Sequence, residues 1–148
     1  MMKLIIRDAT PSDERGWREL WQQYLDFYEV TLTPEITAAT WARLMDLDSP
    51  VKARLAFEAG KMVGFAIHLH HPSTWVIGDD CYLEDLYLAP EARGKGIGKQ
   101  LIRDLMKLAK AAGWQRLYWH TDQENEVARR LYDRFVKSDG HVRYRLKL

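Results

Sequence analysis

The sequence predicts an α/β domain in which helices flank one mixed central sheet, and three observations predict it. Of 148 residues, 47% are apolar and 29% charged, the balance of a chain that folds around a core. That length suits one domain, residues 1–148, with a sizeable core and no linker. Apolar spacing along the chain switches between the strand period and the helix period in the order β-α-α-β-β-β-α-β-α-β.

Each element has its own signal. "KLIIRDA" reads as a short strand, stopped where Thr10-Pro11-Ser12-Asp13 supplies the chemistry of a helix start. Trp17, Trp21, Tyr24 and Tyr28 follow at spacings of 4, 3 and 4, one stripe of a helix. A second helix runs from Pro34 to Met45, with Thr33 as N-cap and Pro34 in its first position. "VKARLAFEAGKMVGFAIHLH" is a hairpin turning at Ala59-Gly60, and "CYLEDLYLA" is a strand halted by Pro90. Ile97, Leu101, Leu105, Leu108 and Ala112 mark a helix that Gly113 closes. "RLYWHT" is the next strand, Asn125 to Phe135 a helix, and "HVRYRLKL" a last strand alternating Val142, Tyr144, Leu146 and Leu148.

Composition narrows the function. With 22 basic and 21 acidic residues, net charge is +1, so no general nucleic-acid-binding surface is expected. Cys81 is the single cysteine, which rules out an internal disulfide and points to a reducing, cytoplasmic compartment. The opening "MMKLIIRDAT" is too briefly apolar for a signal peptide, and no stretch is long enough to span a membrane. No nucleic-acid or membrane partner is expected.

The sharpest local signal is "EARGKGIGKQ", residues 91–100. It fits neither the P-loop spacing, since Lys99 is followed by Gln100, nor the dinucleotide fingerprint, whose final glycine position is Lys99. What remains is strand, proline, glycine-rich turn and helix. Successive N–H groups at a helix start form a cradle for phosphate, and Arg93, Lys95 and Lys99 add positive charge.

On these residues the chain resembles the GNAT superfamily of acyl-CoA N-acyltransferases. "RGKGIG" matches the superfamily's Q/R-x-x-G-x-G/A signature at Arg93, Gly96 and Gly98. The resemblance extends through "LEDLYLAPEARGKGIGKQLI" and "LYWHTDQENEVARRLYDRF", and "IIRDATPSDERGWREL" looks like the usual opening of that fold. "YLEDLY" resembles the polyamine (diamine) branch and the yeast-type histone/polyamine/D-amino-acid acetyltransferases. One departure is "LYDRFVKSDGHV", where the superfamily often has LYxxxGF.

The resemblance implies acetyl-CoA as co-substrate. Its pyrophosphate would lie on the amides of Gly94, Lys95, Gly96, Ile97, Gly98 and Lys99, beside Arg93. Its pantetheine arm would run along the backbone of Leu86, Tyr87 and Leu88 and touch Asn125, which is also a favoured N-cap. Tyr132 matches the family's general acid, and Glu84 its base acting through water; Glu84 is equally an anchor for substrate charge. Glu84 and Asp85 should point to opposite faces of their strand. Tyr28 and Glu29, with Asp26 and Glu35, mark a candidate acceptor wall whose acidic and aromatic character suits a cationic amine.

No metal is expected. His68 and His70 could share a strand face, but no carboxylate or cysteine nearby in sequence completes a ligand set. Cys81 has no Cys-His arrangement and reads as a small buried hydrophobe. The expected activity is transfer of acetyl from acetyl-CoA to a primary amine, a polyamine-like molecule or amino acid, by direct attack in a ternary complex. The alternatives are a protein lysine or N-terminal acetyltransferase, and a non-catalytic acyl-CoA sensor. Six tryptophans and the alternating last strand make a homodimer an expectation.

Overall fold

The computed structural model describes residues 3–148. Five strands, β1 (Leu4–Asp8), β2 (Val51–Glu58), β3 (Lys61–Pro72), β4 (Asp79–Leu88) and β5 (Leu117–Trp119), form one sheet in sequential order. All neighbours are antiparallel except β4 and β5, which are parallel. A parallel pair needs a crossover connection, and α3 (Ile97–Ala112) is that crossover. The other helices are α1 (Glu14–Phe27), α2 (Pro34–Met45) and α4 (Glu126–Tyr132).

The sheet separates two cores. On one face α1 and α2 bury Trp17, Leu20, Trp21, Trp41 and Leu44 against Leu55, Phe65, Ile67 and Tyr87. Trp17, Trp21 and Tyr24 of the aromatic stripe face the core and Tyr28, just past α1, is exposed: Trp17 stacks on Trp21 at 5.2 Å, and Tyr24 meets Phe65 edge-on at 5.7 Å. On the other face α3 buries Ile97, Leu101, Ile102 and Leu105 against Ala66, Cys81 and Leu83, and Leu131 and Tyr132 of α4 pack on the same cluster. Arg54 on β2 stitches the layers, donating to Asp104 of α3 at 2.8 and 2.9 Å and to Asp8 of β1 at 2.9 Å.

The start of α1 follows the expected chemistry. The chain enters through a short 3₁₀ turn, Pro11–Asp13, and the buried Asp13 carboxylate accepts from Thr10 N at 2.7 Å and Thr10 Oγ1 at 2.9 Å. Arg7 of β1 grips the same carboxylate with two N–H groups at 2.8 and 3.0 Å. These donors favour the ionised acid and hold Asp13 down at about 2, against the smaller opposing effect of burial.

Four expectations are corrected. β5 is three residues long rather than six, because β4 turns away from it after Leu83. The last helix ends at Tyr132, and residues 133–135 continue as a turn bonded to Arg129, Leu131 and Tyr132 carbonyls. Residues 141–148 form no strand, and Val142, Tyr144, Leu146 and Leu148 all stand exposed. The alternation is present in the sequence, but a strand exists only where a neighbour accepts its hydrogen bonds. The fourth correction concerns β4 and is described with the site.

Candidate active site

A β-bulge shapes the centre of the site. Ile67 of β3 faces Asp85 of β4, the next residue His68 faces Leu83, and Glu84 is left without a partner. One extra residue reverses the alternation of side chains beyond it. Leu83 therefore packs into the α3 core whereas Tyr87, an even number of positions later, packs into the α1 core. Strict alternation thus fails between Leu83 and Asp85, which are two positions apart yet face opposite cores: Glu84 sits exposed on the bulge and Asp85 turns towards α1.

Asp85 is a candidate site residue that sequence reasoning passed over. It is largely buried, and its Oδ1 accepts from the Tyr24 hydroxyl at 2.7 Å. Burial raises Asp85 to about 6, the Tyr24 bond pulls the other way, and the nearby Glu84 charge adds to the rise. Tyr24 is itself pushed up by burial and by Asp85. Tyr28 stands edge-on to Tyr24 at 5.1 Å and is raised by burial and by Asp85. The available signal was two adjacent acids inside the apolar run "CYLEDLYLA".

Beyond the bulge, β4 has an open edge. Its pairing with β5 covers only Cys81, Tyr82 and Leu83, so the outer backbone from Glu84 to Leu88, including Leu86 and Tyr87, has no strand beside it. This edge leads into the glycine turn. Gly94 and Gly96 adopt φ of 77° and 83°, and a Cβ at either would meet nothing within 4 Å, so the space before them is open. Left-handed backbone at both positions turns successive N–H groups one way, which is how a backbone cradle for an anion forms. Among the described residues, no N–H from Gly94 through Lys95, Gly96, Ile97 and Gly98 to Lys99 has a partner inside the chain. They meet at the start of the 16-residue α3, the positive end of its dipole.

The flanking cations divide. Lys95 pairs with Glu58 at 3.2 Å. Arg93 turns towards α1: its Nε donates to the Leu88 carbonyl at 3.1 Å, and its guanidinium lies over Phe27 and Tyr87 at 5.3 and 5.4 Å. The sequence placed all three cations at the cradle, whereas Arg93 bridges the end of β4 to the aromatic end of α1.

Beyond β5, α4 packs on the α3-side cluster. Asn125 caps it, its side chain accepting from Ala128 N at 3.2 Å. Tyr132, two turns on, packs on Trp119 with ring centres 5.4 Å apart. Burial raises the Tyr132 phenol to about 12, with a smaller contribution from nearby Tyr28, so it keeps its proton at neutral pH and can act only as a donor there. Asp85, Tyr24 and Tyr28 thus form one linked set between β4 and the end of α1, and Tyr132 of α4 stands on Trp119 of β5. Asp26, Glu29 and Glu35 do not join them: all three are exposed, Asp26 accepts from Gln22 at 2.8 Å, and Glu29 caps α1 in a left-handed conformation.

The remaining candidates are structural. Cys81 is fully buried and pushed up to about 12, an inert thiol. His70 bonds Asp79 at 2.7 Å and stacks on Trp114, and His71 shares a hydrogen bond with the Tyr118 hydroxyl at 2.6 Å. His68 is buried without a partner on either ring nitrogen, and burial lowers it to about 4, so it stays neutral. Among the described residues no three His, Cys, Asp or Glu side chains group as a metal site.

Comparison with known proteins agrees with this geometry. The acetyltransferase (GNAT) family model matches residues 14–136. The D-amino-acid N-acetyltransferase HPA3 of Saccharomyces cerevisiae is 33% identical over 97% of this chain and 90% of its own length. A thialysine N-epsilon-acetyltransferase of Caenorhabditis elegans is 33% identical over 62% of this chain and 60% of its own. Among solved structures, a ribosomal-protein-alanine N-acetyltransferase from Brucella melitensis superposes with a TM-score of 0.84 at 23% identity, covering 99% of this chain and 100% of its own. The fold of AAC(6')-Iy, solved with a bisubstrate analogue containing CoA, matches at 0.83 and 19% identity over 99% of both chains.

Proposed function

Because the chain belongs to the GNAT acetyltransferase family and is an acetyl-CoA-dependent N-acetyltransferase, we propose that its acceptor is a small cationic amine, attacked directly in a ternary complex. The observation that carries this reading is the linked set of Asp85, Tyr24 and Tyr28 where β4 has an open edge.

The donor would lie along that edge. The cradle from Gly94 to Lys99 suits the pyrophosphate, the outer edge of β4 along Leu86, Tyr87 and Leu88, which has no strand beside it, suits an amide-bearing arm, and Asn125 would touch that arm. The acceptor would enter from the α1 side. There the Asp85 carboxylate, ionised above about pH 6, draws an ammonium, and the faces of Tyr24 and Tyr28 add cation–π attraction. The ammonium must lose its proton before nitrogen attacks the thioester carbonyl. Glu84, exposed on the bulge, has the solvent access to accept it through water. As the carbon–sulfur bond breaks, Tyr132 donates its phenolic proton to the leaving thiolate, giving the N-acetyl amine and CoA.

Relatives that act on D-amino acids and thialysine support small acceptors. Protein acceptors are the second reading, favoured by Phe27, Tyr28, Val30 and Ile36, which stand exposed around the α1–α2 connection as an open apolar rim. We take the working form to be a cytoplasmic homodimer of one domain; the lone buried thiol of Cys81 supports the compartment, and the exposed apolar residues of 141–148 support the dimer. The deciding experiment compares kcat/KM for spermidine, lysine, a neutral arylamine and an acidic amino acid. Spermidine or lysine is expected to lead, and preference for the acidic amino acid overturns the cationic acceptor.

A further inference from the structure

We infer that Arg93 is the carboxylate-binding residue of the acceptor site, so that the group acetylated is the α-amine of an amino acid held at both ends. The inference rests on the reading of Asp85 as the partner of the acceptor's ammonium and adds a second point of contact.

Arg93 is a cation with unused donors. Its side chain is exposed and donates only from Nε, to the Leu88 carbonyl at 3.1 Å. Among the described residues its two Nη groups have no hydrogen-bond partner and no carboxylate pairs with it. Lys95, two residues on, is by contrast paired with Glu58. The guanidinium is steadied instead by aromatic rings, 5.3 Å from Phe27 and 5.4 Å from Tyr87. An arginine resting on aromatic rings keeps the edge of its planar fork for a carboxylate, which it binds through two parallel N–H groups.

The place of Arg93 relative to Asp85 sets the ligand. Asp85 and Tyr87 are two residues apart on β4 and both turn towards α1. Residues so spaced lie about 7 Å apart along a strand. Asp85 accepts from Tyr24, Tyr24 meets Tyr87 edge-on at 5.8 Å, and Arg93 lies over Tyr87. One aromatic wall thus carries a carboxylate at one end and a guanidinium at the other. Tyr28 lies within reach of both: burial raises its phenol, Asp85 adds to the rise and Arg93 opposes it. An ammonium and a carboxylate on one carbon, each with its hydrogen bond, bridge a gap of that order. A polyamine would instead set an ammonium against Arg93, where like charges repel. Of spermidine and lysine, the geometry selects lysine.

The test compares lysine, lysinamide and cadaverine by steady-state kinetics, with tandem mass spectrometry of the products and calorimetry of acetyl-CoA binding. Lysine is expected to be acetylated on its α-amine, with kcat/KM at least about tenfold above the other two. Arg93→Gln should erase that preference by raising KM for lysine, leaving kcat and acetyl-CoA affinity within a few-fold. Arg93→Lys, which keeps the charge without the fork, should recover part of it. Equal rates on all three amines, or acetylation of lysine on its ε-amine, overturn the carboxylate site. In that event the cationic-amine reading stands if Asp85→Asn slows all three amines and falls with it if Asp85→Asn changes none. An Arg93→Gln variant that keeps the lysine preference but binds acetyl-CoA tenfold more weakly places Arg93 on the pyrophosphate and also overturns the inference.

Discussion

At the residue scale, the proposed mechanism rests on two groups whose surroundings shift them in the same direction for different ends. Tyr132, raised to about 12, is a proton donor throughout the working range. Tyr132→Phe should leave acetyl-CoA affinity within a few-fold and lower kcat by about 10²–10⁴, as loss of a general acid does; steady-state kinetics beside calorimetry reads both numbers. Wild-type turnover would reduce Tyr132 to a ring packed on Trp119. Asp85, raised to about 6, is neutral below that pH and charged above it. Affinity of the enzyme–CoA complex for spermidine should therefore weaken as pH falls through 6. Asp85→Asn should flatten that profile and weaken binding at pH 7.5 by about ten- to a hundredfold, the worth of a charge-assisted hydrogen bond. Calorimetry from pH 5 to 8 makes the comparison, and an unchanged profile in the variant would remove Asp85 from the acceptor site. The glycine turn and the asparagine cap were readable because each depends on near neighbours in sequence, whereas the part proposed for Tyr132 came from the family resemblance. Asp85 was not readable, because its direction depends on the bulge at Glu84, and a bulge is a property of the pairing with β3.

At the scale of elements, two devices hold the site in place. The turn before α3 depends on left-handed backbone at Gly94 and Gly96. Gly96→Val would strain that conformation by about 1–3 kcal/mol and set a branched side chain in the open space in front of the amides. Acetyl-CoA binding should become undetectable by calorimetry while the thermal midpoint falls only modestly; retained affinity would sink the cradle. The start of α1 depends on Asp13, whose folded value of about 2 lies below the ordinary 3.8. The sign follows: its stabilisation is complete above about pH 4 and is lost as pH falls towards 2. The shift corresponds to about 2 kcal/mol. Urea unfolding of Asp13→Asn should show a loss of that order at pH 7 that shrinks towards zero near pH 2.5, and a pH-independent difference would assign the effect to packing. Both devices were visible in "ATPSDERGW" and "RGKGIG", since caps and turns are local chemistry. The reach of β5 and the fate of 141–148 were not, because strand length is decided by the neighbouring strand.

At the scale of the whole molecule, the sheet divides its work between ends. Antiparallel strands β1 to β4 and the two cores make the support, and the end of the β4–β5 pairing at Leu83 leaves the outer edge of β4 open. No helix among the described residues is long and apolar enough to cross a membrane. The layered α/β architecture was legible because the switching of apolar period along the chain reports which faces must be buried. The proposed acceptor side was only half legible, since the acids close in sequence to the aromatic stripe (Asp26, Glu29 and Glu35) turn to solvent and the one that faces in comes from β4. The central claim is that these parts together move an acetyl group from acetyl-CoA to an amine. Its most direct measurement follows thiol release from acetyl-CoA with and without spermidine or lysine, with mass spectrometry of the amine product. Release that depends on the amine, matched one for one by N-acetyl product and reduced at least a hundredfold in Tyr132→Phe, is the predicted result. Tight acetyl-CoA binding with no amine-dependent release and no acetylated product would contradict it and mark the chain as a sensor of acyl-CoA.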